Sequence, residues 1–68
     1  MVLRITPMER TALRLMAVGK ATREIARDLG LSERVVEDHL SSLFQRMGAA
    51  SRSEAIGAAV RRGLVEQS

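Results

Sequence analysis

The sequence predicts an all-α fold, a four-helix bundle containing a helix-turn-helix, as one domain over residues 1–68. Three observations predict it. Apolar residues recur at a period of about 3.6 in four segments, whereas alternation at period two is confined to the short lead-in Val2 to Ile5. Each segment opens on a hydroxyl-bearing residue and closes at a glycine: Gly19, Gly30, Gly48 or Gly63. The connections are only a few residues long, which suits neighbouring helices of a bundle.

The lead-in is expected to be extended and packed on the body. The first helix spans about 7–18. Thr6 can cap it, Pro7 suits its first position, and Glu9 completes a capping box three residues after Thr6. Met8, Ala12, Leu13, Leu15 and Met16 are its inward residues. The second helix spans 22–29 and carries Ile25, Ala26 and Leu29 on one face. Position 21 has the right spacing to Glu24 for a cap but is alanine, so Thr22 is assigned the capping role. Gly30 ends the helix because a residue without Cβ enters the left-handed region at no steric cost. Leu31 follows as a hydrophobic plug, and Ser32 can cap the third helix, 32–47. There Val36, Leu40, Leu43 and Met47 form the apolar stripe, while Arg34, Glu37, Asp38, Ser41 and Gln45 form a polar one. Ser51-Arg52-Ser53-Glu54 is a further capping box, opening a fourth helix over 52–63 with Ala55, Ile56, Ala59 and Val60 inward. Gly57 in its interior costs about 1 kcal/mol relative to alanine, so either the helix is loose there or something packs close over it.

Composition narrows the function classes. A chain of 68 residues buries only about 60% of its unfolded surface, so its stability margin is small. With no cysteine it has neither a disulfide framework nor a thiolate zinc site, which fits a reducing cytoplasm. No apolar run approaches the roughly 20 residues that span a bilayer, and no secretory leader is recognisable. The net charge is +3, which favours polyanions, but the excess is unevenly placed. Residues 1–31 carry +3, residues 32–48 carry −1 and residues 49–68 carry +1. The third helix, the longest polar surface, is therefore the acidic part.

A short helix, a glycine turn and a second helix with a long polar face is the sequence form of helix-turn-helix. A characteristic series runs through almost the whole length: Ile5-Thr6-Pro7-Met8-Glu9-Arg10, Glu24-Ile25-Ala26, Leu29-Gly30-Leu31-Ser32, Val36, His39, Leu40, Arg46-Met47-Gly48 and Ser51-Arg52-Ser53-Glu54-Ala55. In these residues the chain resembles the bacterial LuxR/GerE-type DNA-binding domain, found at the C-terminus of quorum-sensing and NarL/FixJ-type response regulators. What the resemblance implies is a sequence-specific transcriptional regulator of double-stranded DNA. Its third helix would enter the major groove, its second would lie on the phosphate side, and its fourth would dimerise. The departures fall on the third helix. The family usually has threonine at the position of Val35, non-acidic residues at Glu37 and Asp38, and often basic ones at Ser41 and Ser42.

On this reading Arg34, Glu37, Asp38 and Ser41 are the base-contacting candidates, with Gln45 beside them. Carboxylates can accept from the N4 amino group of cytosine, yet they also repel the phosphates that supply most DNA affinity. Arg34 can offset them locally through an i, i+3 or i, i+4 contact. Lys20, Thr22, Arg23, Arg27 and Arg46 are the phosphate-contacting candidates; each arginine also suits a plain solvated role. Ala58, Arg61, Arg62 and Val65 are the candidates for a homodimer contact through the fourth helix. Two alternatives remain open: DNA binding that depends on a partner such as RNA polymerase, or a body used mainly for protein–protein interaction.

Other classes find little support. His39 has no cysteine, second histidine or nucleophile elbow near it in sequence, and a structural hydrogen bond is the expected role. No catalytic residue, metal site, cofactor or small-molecule ligand is expected. The four methionines and Phe44 read as core filling, and the absence of Tyr and Trp argues against stacking on single strands. The bases are too scattered for a membrane-surface helix. A cytoplasmic, nucleoid-associated protein is the expectation. Only a few residues precede the first helix, leaving no sensor or receiver domain in this chain; a stand-alone regulator and part of a longer protein both fit.

Overall fold

In the computed structural model, which describes residues 4–65, four helices occur: α1 (Pro7–Ala17), α2 (Thr22–Leu29), α3 (Glu33–Met47) and α4 (Arg52–Arg61). Helix α2 has the expected bounds, and α1, α3 and α4 each differ from expectation at one end, by one or two residues. Val18 and Gly19, and likewise Arg62 and Gly63, belong to turns. Val2 and Leu3 of the lead-in lie outside the described residues; its Arg4–Ile5 end is seen, with Ile5 half-buried.

The caps explain where the helices start. Thr6 Oγ1 accepts from the Glu9 N–H at 3.1 Å and Glu9 Oε1 accepts from the Thr6 N–H at 3.1 Å, closing a reciprocal box. Ser32 Oγ accepts from the Val35 N–H at 3.2 Å and Ser51 Oγ from the Glu54 N–H at 3.2 Å. At the fourth helix the return bond is displaced by one residue, since Glu54 Oε1 accepts from Ala50 N–H at 3.4 Å. The expected cap at Thr22 is corrected: Ala21 is the N-cap and Thr22 lies inside the helix. Alanine has no side-chain acceptor, but Glu24 Oε1 accepts from the Ala21 N–H at 3.0 Å, which keeps half of the box.

Gly30 takes φ +70°, and the following Leu31 N–H donates to the Ala26 carbonyl at 2.9 Å. This closes α2 and points the chain into α3, a turn in which an L side chain at position 30 would be strained. Leu31 itself is 36% exposed, so it is not the buried plug expected of it. It stands just before the Ser32 cap, in the position of a hydrophobic staple opposite Val36.

The core is one cluster of Ala12, Leu13, Met16, Ile25, Ala26, Val36, Leu40, Leu43, Met47, Ala55, Ala59 and Val65. Met8, Leu15 and Phe44 are only half-buried. Each large aliphatic side chain taken fully out of water contributes about 1.5–3 kcal/mol, and Leu13, Ile25 and Leu43 are buried completely. The helices α1 and α3 touch every other helix, whereas α2 and α4 do not pack on one another. The α2–α3 pair is thus mounted on α1 from one side and on α4 through α3.

Val65 lies beyond the end of α4 and is 7% exposed. The sequence reading put it on the outer side of the fourth helix; instead the turn at Gly63 folds it back into the core. At Gly57 the only close neighbour of an added Cβ would be the Arg61 guanidinium, at 3.3 Å. That is tighter than an ordinary contact, so it is the Arg61 side chain of the same helix, and no backbone, that lies close over the glycine.

Candidate nucleic-acid interface

The outer surface of α3 follows from helix geometry. With Val36, Leu40, Leu43 and Met47 buried, the row Arg34, Asp38, Ser41 and Gln45 lies opposite them, at about 3.6 residues per turn. All four are exposed. Glu37 is exposed on one flank of this row, towards Glu33, and Val35 is 37% exposed on the other flank. Among the described residues Arg34 forms no ion pair, so the local contact with Glu37 or Asp38 is not made. The carboxylates of α3 therefore stand unneutralised on an exposed face.

Beside it lies the start of α2. Ala21, Thr22, Arg23, Glu24, Arg27 and Glu33 line a shallow open concavity of about 410 Å³. Its base is the amino end of α2, where unpaired N–H groups favour an anion. Arg23 and Arg27 are exposed there, while Thr22 and Lys20 are half-buried. The backbone N–H of Ala21 draws the pKa of Glu24 below its ordinary 4.5 against the opposing effect of burial, and the charges of Lys20, Arg27 and Arg23 add to the lowering. Glu24 thus stays ionised and occupies part of the positive field that an incoming anion would use.

Arg46 does not stand with these groups. Its guanidinium donates to the Glu9 carboxylate and to the Arg4 carbonyl at 2.7 Å, and its Nε donates to the Ser42 carbonyl at 3.3 Å. Arg46 thus clamps α1 to α3 from an exposed position, and the phosphate contact expected of it would compete with these bonds. Its partner was not foreseen either. Glu9 is 4% exposed. Burial pushes its carboxyl up, but the Arg46 hydrogen bond, the Thr6 backbone N–H and the Arg46 charge outweigh that and hold the pKa below 4.5.

Arg52 makes a second tie that sequence reasoning missed, donating to the Lys20 carbonyl just before α2. This anchors the entrance of α2 to the start of α4. His39 is exposed, and among the described residues it makes no side-chain hydrogen bond, contrary to expectation. On α4, Arg61 and Arg62 are exposed and Ala58 is half-buried.

A helix-turn-helix with its second helix exposed along a polar row, braced by two further helices, is the architecture of a DNA-binding regulatory domain. The comparisons with known proteins agree. Residues 3–59 match the family model for bacterial regulatory proteins of the luxR family, and the chain belongs to that family. It is 37% identical over 62 residues to the spore germination protein GerE of Bacillus subtilis, covering 91% of this chain and 84% of that protein. It is 39% identical over 61 residues to the transcriptional regulatory protein YdfI of Bacillus subtilis, covering 90% of this chain but 29% of YdfI. With the response regulator Rre1 of Synechocystis the identity is 41% over 61 residues, covering 90% of this chain and 26% of Rre1. The solved structure of the transcription factor GerE superposes with a TM-score of 0.89 at 31% identity, covering 94% of this chain and 96% of that one. The family is one of DNA-binding transcriptional regulators and not an enzyme class. No helix among the described residues is long and apolar enough to cross a membrane.

Proposed function

We propose that this domain binds double-stranded DNA in a sequence-dependent way, with α3 in the major groove and α2 against the phosphates. The observation that carries the proposal is the exposed polar row of α3, opposite a fully buried stripe, on a luxR-family helix-turn-helix. Arg34, Glu37, Asp38 and Ser41 are the base-contacting residues. Arg34 suits guanine, whose O6 and N7 accept from a guanidinium, while Glu37 and Asp38 suit cytosine. Lys20, Thr22, Arg23 and Arg27 are the phosphate contacts. Glu37 and Asp38 lower the non-specific affinity, so discrimination rests on the bases and not on charge alone.

A homodimer through Ala58, Arg61 and Arg62 would place two such domains on one site, Val65 taking no part because it is buried. Selection of bound duplexes from a random pool, at two salt concentrations, tests the whole reading. A partly palindromic motif with cytosine at fixed positions is expected. Binding without enrichment, falling steeply with salt, would reduce the domain to phosphate contact and favour a helper protein such as RNA polymerase. No binding at low salt would overturn the proposal in favour of protein recognition.

A further inference from the structure

Glu37 and Asp38 bring a chemical restriction that an arginine- or lysine-bearing α3 would lack. They are exposed, and among the described residues neither is paired with a cation or held by a hydrogen bond. Ionised carboxylates only accept hydrogen bonds. In the major groove the donor that a G·C pair offers is the N4 amino group of cytosine. One N4 hydrogen is used in base pairing with guanine, and the other points into the groove. A methyl group on N4 of a paired cytosine must take that second position, because the first is needed for the pair. The groove then presents a methyl carbon where the carboxylate requires a hydrogen. Methylation at C5 is different, since it leaves the N4 hydrogen in place.

We infer that the α3 carboxylates make this domain a reader of cytosine that is unmethylated at N4, so that N4-methylation within its site blocks binding. The inference rests on the proposed placement of α3 in the groove. Asp38 is the main reader, being in the outward row and adjacent to Arg34 at i+4; Glu37 reads from the flank. Arg34, whose targets on guanine are acceptors, is indifferent to the modification itself.

The test uses the duplex enriched from the random pool, prepared with cytosine, N4-methylcytosine or 5-methylcytosine at the fixed cytosine positions. Affinity is measured for the unaltered chain and for Asp38→Ala and Glu37→Ala, singly and together. The unaltered chain should bind the N4-methyl duplex roughly tenfold more weakly, as for loss of a good base contact, and the 5-methyl duplex with far smaller change. The doubly substituted chain should bind unmodified and N4-methyl duplexes alike. Equal binding of these two duplexes by the unaltered chain overturns the inference while leaving sequence-specific binding intact. Discrimination that survives the double substitution overturns it too, because a clash with some other side chain would then be responsible. Absence of any enriched duplex overturns the placement of α3 and this inference together. Both residues are exposed, so an unchanged thermal unfolding curve confirms that the variants remain folded.

Discussion

Glu9 and Asp38 are both helical carboxylates, and they sit in opposite physical situations. Glu9 is buried on α1, closes the capping box with Thr6 and receives the Arg46 guanidinium. Asp38 stands on the exposed row of α3, with no ion-pair partner among the described residues. A buried charge has to be matched inside the fold or it destabilises it. An exposed one is solvated, costs little, and remains available for something outside. The first carboxylate is thus committed to stability, and the second is free for recognition.

Substitution at the two positions should separate these roles. Glu9→Ala removes half of the capping box and the Arg46 ion pair, so unfolding in urea should show a loss of about 1–3 kcal/mol. In a domain of this size that is a large part of the total. Acid gives a second way to break the buried site. Because the folded pKa of Glu9 lies below 4.5, its contribution is fully present above the unfolded value and is lost as pH falls through 4.5 towards the folded one. The urea midpoint of the unaltered chain should therefore fall across that window, and Glu9→Gln should flatten the fall. A smaller effect of opposite sign is expected at the weakest helix start. Ala21→Ser supplies the missing acceptor at the α2 cap and should raise stability by about 0.5–1 kcal/mol, read from the same unfolding curves. Smallest of all, Glu37→Ala with Asp38→Ala should leave stability within about 0.5 kcal/mol. The same pair should tighten binding to random duplex at low salt, since two repelling charges are gone.

Much of the fold could be read from local signals. Thr6, Ser32 and Ser51 start helices because a cap involves residues three apart, and such spacing is visible in one dimension. Gly30 ends α2 for an equally local reason. The start of α2 at Thr22 was placed correctly, but its cap was misassigned by one residue because a hydroxyl at position 22 outweighed the Glu24 spacing to Ala21. What could not be read was tertiary. Nothing near Arg46 in sequence signals a partner 37 residues away at Glu9, so an arginine in the last turn of the expected reading helix looked like a phosphate ligand. Val65 likewise looked like an extension of the α4 surface until the turn at Gly63 reversed the chain. The exposure of Arg34, Glu37, Asp38 and Ser41 was legible, because the buried stripe of α3 dictates its opposite.

The two arginine ties also bear on the order of events in folding. Most side-chain hydrogen bonds described in this domain join residues three or four apart, whereas Arg46 reaches Arg4 across 42 positions and Arg52 reaches Lys20 across 32. Bringing such distant segments together carries a loop-closure cost before any contact rewards it. The helices and the α2–α3 hairpin can form from short-range contacts alone, so the arginine ties are expected to close after the helices they join. Their loss should consequently appear in the unfolding limb of the kinetics, with the folding rate little altered. On that outcome the two arginines would act as late fasteners, setting how long the native arrangement lasts once it has been reached.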